Sequence, residues 1–149
     1  MKRLRRFFLL SPAEQSLLVR AALWLSAIRV ALWLLPYPTL QRLLTKTWRL
    51  RMIRRPDQGL TEDVNKVLWA VTVVRRYLPG GSSCLTQAMV VQLLLRQCGY
   101  STYVRIGVAR TQGGRLEAHA WVENGGQAVF GGSELSRYTP LMALEGEKQ

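Results

Sequence analysis

The first half of the chain carries helical punctuation, and the second half switches to the alternation of strands. Ser11, Pro12 and Glu14 have the form of a helix start: a serine N-cap, a proline whose missing N–H costs nothing in a first turn, and an S-x-x-E capping box. The helix opened there is expected to run to about Leu35, where Pro36 and Pro38 stop it. Leu43, Leu44, Trp48 and Met52 space a second helix after Thr39 that ends before Pro56 and carries Arg42, Lys46, Arg49, Arg51, Arg54 and Arg55. Asp57-Gln58-Gly59 reads as a turn. Thr61 begins a third helix, with Glu62 and Asp63 favourably placed against the dipole of its first turn, and that helix reaches Leu78 before Pro79-Gly80-Gly81.

Beyond that point the period changes. Leu85 to Cys98 is an apolar run with Gly99 set as its C-terminal cap. Val104, Ile106 and Val108 then fall on one face of a strand, with Tyr103 and Arg105 on the other. Leu116, Ala118, Ala120 and Val122 alternate in the same way with Glu117, His119, Trp121 and Glu123. Asn124-Gly125-Gly126 signals a three-residue hairpin turn, and Ala128-Val129-Phe130 is a third short strand. The fold class is therefore α+β: a helix packed on a small antiparallel sheet over residues 61–149, preceded by a basic helical extension over residues 1–60.

At 149 residues the length fits one small domain with such an extension, and 48% hydrophobic residues suffice for a real core, which excludes a disordered tail protein. Two cysteines exclude a disulfide-stapled miniprotein, and a single histidine excludes a multi-histidine metal site. The net charge of +12 is uneven: residues 1–60 hold 12 Lys and Arg against Glu14 and Asp57, whereas residues 61–149 hold 9 against 7. A pI near 10.9 is the usual mark of a nucleic-acid binder. Here the charge is interleaved with Leu and Trp at helical spacing and no reader motif accompanies it, so nucleic acid is not the expected partner. Three readings remain for the basic half: a solvated face on packed helices, a docking face, or peripheral contact with an anionic membrane through Phe7, Phe8, Trp24, Trp33 and Trp48.

The basic opening Met1 to Arg6 precedes only four apolar residues, too short for the core of a secretion signal, and no small-residue cleavage site follows. Residues 17–35 are a better membrane candidate, yet Arg20 and Arg29 interrupt them on opposite sides of the helix, and an arginine inside a spanning helix costs at least about 2.5 kcal/mol. A helix buried on part of its surface is the expectation, in a cytoplasmic protein whose thiols stay reduced.

Cys84 stands where the fourth helix should begin, after a Gly-Gly-Ser-Ser stretch that permits close approach of a backbone or substrate. A thiol nucleophile needs a lowered pKa, and a helix N-terminus supplies unpaired N–H groups and partial positive charge, which also suit an oxyanion beside the sulfur. The plain alternative is a small buried residue opening a core helix. Fourteen helical residues would hold Cys84 and Cys98 about 21 Å apart, far beyond disulfide reach. His119, mid-strand, is either a satisfied strand histidine or the base that takes the thiol proton and returns it to a leaving amine. A helix-start cysteine followed by a strand histidine is the minimum machinery of acyl chemistry. For a third, orienting group the spacing offers little: a three-residue turn puts Gly131 opposite His119, Glu123 is about 13 Å down the strand, Glu117 is two residues away, and Glu134 lies beyond the hairpin.

The run PGGSSCLTQAMVVQLLLRQCGYSTYVRIGVA followed by LEAHAWVENGGQAVFGG resembles the transglutaminase-like cysteine peptidases of lasso-peptide biosynthesis. The likeness covers about residues 64–140. Its most specific pieces are C-L-x-Q-A at Cys84–Ala88, Gly107-Val108, and A-H-A-W-V-E at Ala118–Glu123, and the S-P-A-E segment is similar to the front of the stand-alone form. The resemblance implies a papain/transglutaminase-like core with Cys84 and His119 catalytic and neither metal nor organic cofactor. It further implies removal of the leader from a ribosomally made precursor peptide, in company with a separate leader-recognition protein and an ATP-using lasso cyclase that closes the macrolactam. Many relatives have an Asp where this chain has Gly131, which leaves the third catalytic group open. An acyl transferase using the same pair, and a non-catalytic adaptor acting through residues 1–55, are the other classes.

Overall fold

The computed structural model describes residues 9–48, 59–78, 82–133 and 135–141. The basic residues expected on the second helix from Arg49 to Arg55, the aromatic pair Phe7 and Phe8, and Glu134 lie outside that set.

Helix α1 spans Pro12–Leu34 and begins on the expected box: the Ser11 hydroxyl accepts from Glu14 N–H, and Glu14 Oε2 accepts from Ser11 N–H at 2.8 Å. Helix α2 spans Tyr37–Trp48. It starts two residues earlier than Thr39, because Pro38 occupies a first turn, where its missing N–H breaks no bond, instead of blocking it. Thr39 and Leu40 N–H both reach back to Pro36 O. Helix α3 spans Leu60–Arg75 with Gly59 as its N-cap, and helix α4 spans Cys84–Gln97.

Every residue of α4 from Thr86 to Leu95 is buried. A run without helical periodicity is what a helix enclosed on all sides requires, and α1, α3 and the sheet surround this one. Leu18, Ala21, Leu25 and Ile28 of α1 lie in the same core cluster as α3 and α4. The outward side of α1 is apolar too: Val19, Leu23, Val30 and Trp33 are exposed. By length and composition alone the helix could cross a membrane, with about a fifth of its most apolar window buried in the protein. Arg20 reaches inward and donates to Gln97 Oε1 on α4.

Helix α4 ends as its glycine requires. Gly99 has φ +94°, its N–H bonds to Arg96 O, and Tyr100 N–H bonds back to Leu95 O, the paired closure of a Schellman cap. The chain then enters strand β1, Thr102–Arg110, which pairs antiparallel with β2, Leu116–Asn124. Strand β3, Gln127–Phe130, lies outside β2, and β4, Thr139–Pro140, lies outside β1, giving the order β3-β2-β1-β4. Val104, Ala120 and Val122 turn into the core, with Ile106 packed against it. This is the α+β class expected from the alternation.

Two details differ from the expected hairpin. The turn is Gly125-Gly126, both at positive φ, with Asn124 paired to Gln127. A bulge then follows, because Glu123 pairs with Ala128 but Val122 pairs with Phe130. The extra residue moves Gly131 beside Trp121, not opposite His119 as the three-residue turn implied. Strand β4 was not foreseen, since two residues carry no alternation to read.

Candidate active site

Ser83 caps α4 through its side chain, accepting from Thr86 N–H at 3.1 Å, and Ser83 O accepts from Gln87 N–H. Such a cap contributes about 1 kcal/mol. It uses the N–H groups of the third and fourth helical residues and leaves those of Cys84 and Leu85, ahead of them in the first turn, without protein partners among the described residues. Cys84 is the first helical residue, half-buried and packed against the core. The segment before it is held by Gln87, whose Nε2 donates to Ser82 O at 2.8 Å while its Oε1 accepts from Arg75 Nη1 at 3.2 Å. Cys84 and Cys98 are not joined in a disulfide, and α4 extends between them.

The level of Cys84 along the sheet follows from the anchor at the other end of the helix. Gln92 Nε2 donates to Thr102 O at 3.0 Å, and Thr102 Oγ1 donates back to Gln92 O. Cys84 lies eight residues earlier, about 12 Å along the axis. At roughly 3.3 Å per strand residue this is between three and four residues along β1, near Ile106. Ile106 pairs with Ala120, the neighbour of His119. With the axis of α4 taken along β1, this count sets the main chain of Cys84 at about the height of His119.

The two side chains start from different sides of the sheet. Ala120 faces the core and α4, so His119 projects from the opposite face, together with Trp121 and Glu123. There the ring is half-buried, stacked near Trp121 at 6.4 Å between centroids, and tilted against Tyr138 at 5.0 Å. Its Nε2 bonds Gly131 O at 2.8 Å, on the side of β2 where β3 has already ended. No hydrogen bond joins the sulfur to the ring among the described residues. Trp121 is buried, since Gly107 across the strands leaves room for its ring, and its Nε1 donates to Glu123 Oε1 at 2.7 Å. Glu123 also accepts from Arg105 at 3.2 Å. Its carboxylate is thus committed to Trp121 and Arg105, away from the imidazole.

Reasoning from sequence alone missed Tyr138, Gly131 O and Gln87 as parts of this region. Trp121 was within reach, because it sits two residues beyond His119 and so shares its face. Gln87 likewise follows Cys84 by three residues, one helical turn. Nothing in the spacing marked Tyr138, which a short 3-10 turn at Leu135–Arg137 delivers.

Residues 22–143 match the family model described as the transglutaminase-like superfamily. No curated protein and no solved structure matches the chain. The match takes in α1 from Ala22 onward and all of α2, as well as α3, α4 and the sheet.

Proposed function

We propose, from the premise that this chain belongs to the transglutaminase-like superfamily, that Cys84 and His119 carry out acyl chemistry as a cysteine peptidase. Membership alone points to a cysteine peptidase or an acyl transferase. The finer reading is removal of the leader from a ribosomally synthesised lasso-peptide precursor, and it rests on the resemblance of Cys84–Ala88 and Ala118–Glu123 to that group of enzymes. The observation that supports it best is the position of Cys84: first residue of a capped, buried helix whose first two N–H groups have no protein partner among the described residues, packed on the strand that carries the chain's sole imidazole.

In this reading the Cys84 sulfur attacks the scissile carbonyl and its proton passes to the ring nitrogen of His119 not engaged by Gly131. The N–H groups of Cys84 and Leu85 receive the developing oxyanion. Collapse of the tetrahedral adduct breaks the C–N bond. The imidazolium returns its proton to the departing amine, which becomes the new N-terminus of the core peptide. Water, deprotonated by the same imidazole, then hydrolyses the thioester and frees the leader as a carboxylate. This chemistry calls on neither metal nor organic cofactor. The freed amine is the group a partner cyclase would use to close a macrolactam. The partners are accordingly the precursor peptide, a separate leader-recognition protein and that cyclase, in the cytoplasm.

Mass spectrometry of a precursor incubated with this protein and its leader-binding partner tests the reading. Cleavage in H₂¹⁸O should place the label in the new leader carboxylate, whereas an amine adduct at that position would make the enzyme a transferase. Cys84→Ala should abolish cleavage and Cys98→Ser should spare it. Undiminished cleavage by the Cys84→Ala protein would reject the enzymatic reading, and an equal loss in the Cys98→Ser protein would show that the other thiol is the nucleophile.

A further inference from the structure

We infer that the main-chain carbonyl of Gly131 is the positioning group for His119, in the place that a side-chain carboxylate or amide takes in a triad. The inference rests on the proposed role of His119 as the base and deepens it.

Three observations meet at this residue. Gly131 O lies 2.8 Å from Nε2, and a carbonyl oxygen can only accept, so the proton of the neutral ring sits on Nε2 and the lone pair on Nδ1. The bond therefore selects the tautomer whose free nitrogen can receive a thiol proton. Second, the ring is packed against two aromatic neighbours, Tyr138 at 5.0 Å and Trp121 at 6.4 Å, which restrict its rotation alongside the hydrogen bond. Third, the backbone at 131 is built for a carbonyl and not for a side chain. Gly131 has φ +70°, and a Cβ there would lie 3.0 Å from Ala120 O and 3.3 Å from Trp121 Cα and Cβ. The left-handed turn that ends β3 presents the carbonyl, and together with the close backbone of β2 it strains any side chain placed there.

Among the described residues the carboxylates near the ring do not compete for the role. Glu123 is bound to Trp121 and Arg105, and Glu117 is an exposed residue two positions before His119, near 7 Å away along the strand. Sequence comparison by side chain would score position 131 as an empty place; the atom that fills it belongs to the backbone.

Because His119 is the only histidine, nitrogen-15 NMR reads its tautomer without assignment. In the intact protein with the ring neutral, long-range proton–nitrogen correlations should show Nε2 protonated and Nδ1 bare. The Nε2 proton should be observed directly because its bond slows exchange with water. A ring protonated on Nδ1, or an Nε2 proton lost in fast exchange, would overturn the inference. Gly131→Ala should displace the carbonyl, expose that proton to exchange, and slow iodoacetamide alkylation of Cys84 at neutral pH about tenfold, the equivalent of one lost hydrogen bond. If His119→Ala slows alkylation and Gly131→Ala does not, the carbonyl has no such role while the cysteine–histidine pairing stands. If neither slows it while the NMR shows the Nε2–H bond, the pairing itself fails.

Discussion

Gly107→Ala puts a single methyl group into the tightest place on the histidine side of the sheet. Gly107 pairs with His119 across β1 and β2, and it also pairs with Pro140 of β4. A Cβ at this position would stand 2.9 Å from Trp121 Cζ3, 3.0 Å from Cη2 and 3.1 Å from Thr139 O. Ordinary contacts begin near 3.5 Å, so the ring or β4 must yield by about half an ångström. The ring is anchored through Nε1 to Glu123, and the third contact is backbone, so neither yields freely. Overpacking of this kind costs about 1–3 kcal/mol, offset by about 0.5–1 kcal/mol because alanine gives up less backbone freedom than glycine in a strand. The net expectation is a loss of about 0.5–2 kcal/mol, or roughly 1–8 °C in Tm for a chain of this size. Thermal unfolding followed by near-ultraviolet circular dichroism measures it and also reports the displaced indole. Gly113→Ala, in the β1–β2 turn with its nearest atom 4.0 Å away, serves as the control and should be neutral. An unchanged or raised Tm for Gly107→Ala would refute the reasoning, for it would mean that the space beneath Trp121 is not needed.

Two further outcomes follow from partly buried polar contacts. Gln87→Ala should lower stability by about 1–3 kcal/mol and slow leader cleavage, because Ser82 O and Arg75 lose their shared partner; a double-mutant cycle with Arg75→Ala should show coupling of at least about 0.5 kcal/mol. Burial, reinforced by its bond to Asp63 at 2.8 Å, pushes the Tyr100 phenol up to about 12. The folded value exceeds the unfolded one, so this contribution is complete below about pH 10 and lost as pH rises towards 12, and Tyr100→Phe should remove that part of the alkaline fall in unfolding free energy.

Local signals in this chain were legible wherever one residue type has one structural use. The Ser11–Glu14 box, Gly99 after α4 and the two runs of alternation each correspond to a single conformation, and each leads to the element found. Boundaries shifted where a residue has two uses. Pro38 can end a helix or open one, and it opens α2. Asn124-Gly125-Gly126 can close a hairpin with two or three loop residues, and the choice, together with the bulge after Ala128, decides where Gly131 falls. That shift is why the orienting atom escaped sequence reasoning: a register argument ranks side chains, and the group bonded to His119 is a carbonyl whose direction depends on one positive φ. The burial of Trp121 on a face that otherwise alternates as polar was likewise out of reach, since it depends on the space that Gly107 leaves on the neighbouring strand, which only the strand register reveals. Cys84 and His119 were legible as residue types in position, because a helix start and a mid-strand site can be named without tertiary contacts.

Acyl chemistry by this pair requires the Cys84 thiol and the His119 ring to meet around the edge of β2. A three-carbon bifunctional alkylator such as 1,3-dibromoacetone tests this most directly. It reacts first at a nucleophilic sulfur and then closes only onto a nitrogen within a few ångströms, and one histidine in the chain leaves a single product to find. Peptide mass spectrometry should recover the segments containing Cys84 and His119 joined by the bridge, with Cys98 unmodified. A monoalkylated Cys84 beside an untouched His119, in protein that remains folded, would contradict the pairing and the chemistry built on it.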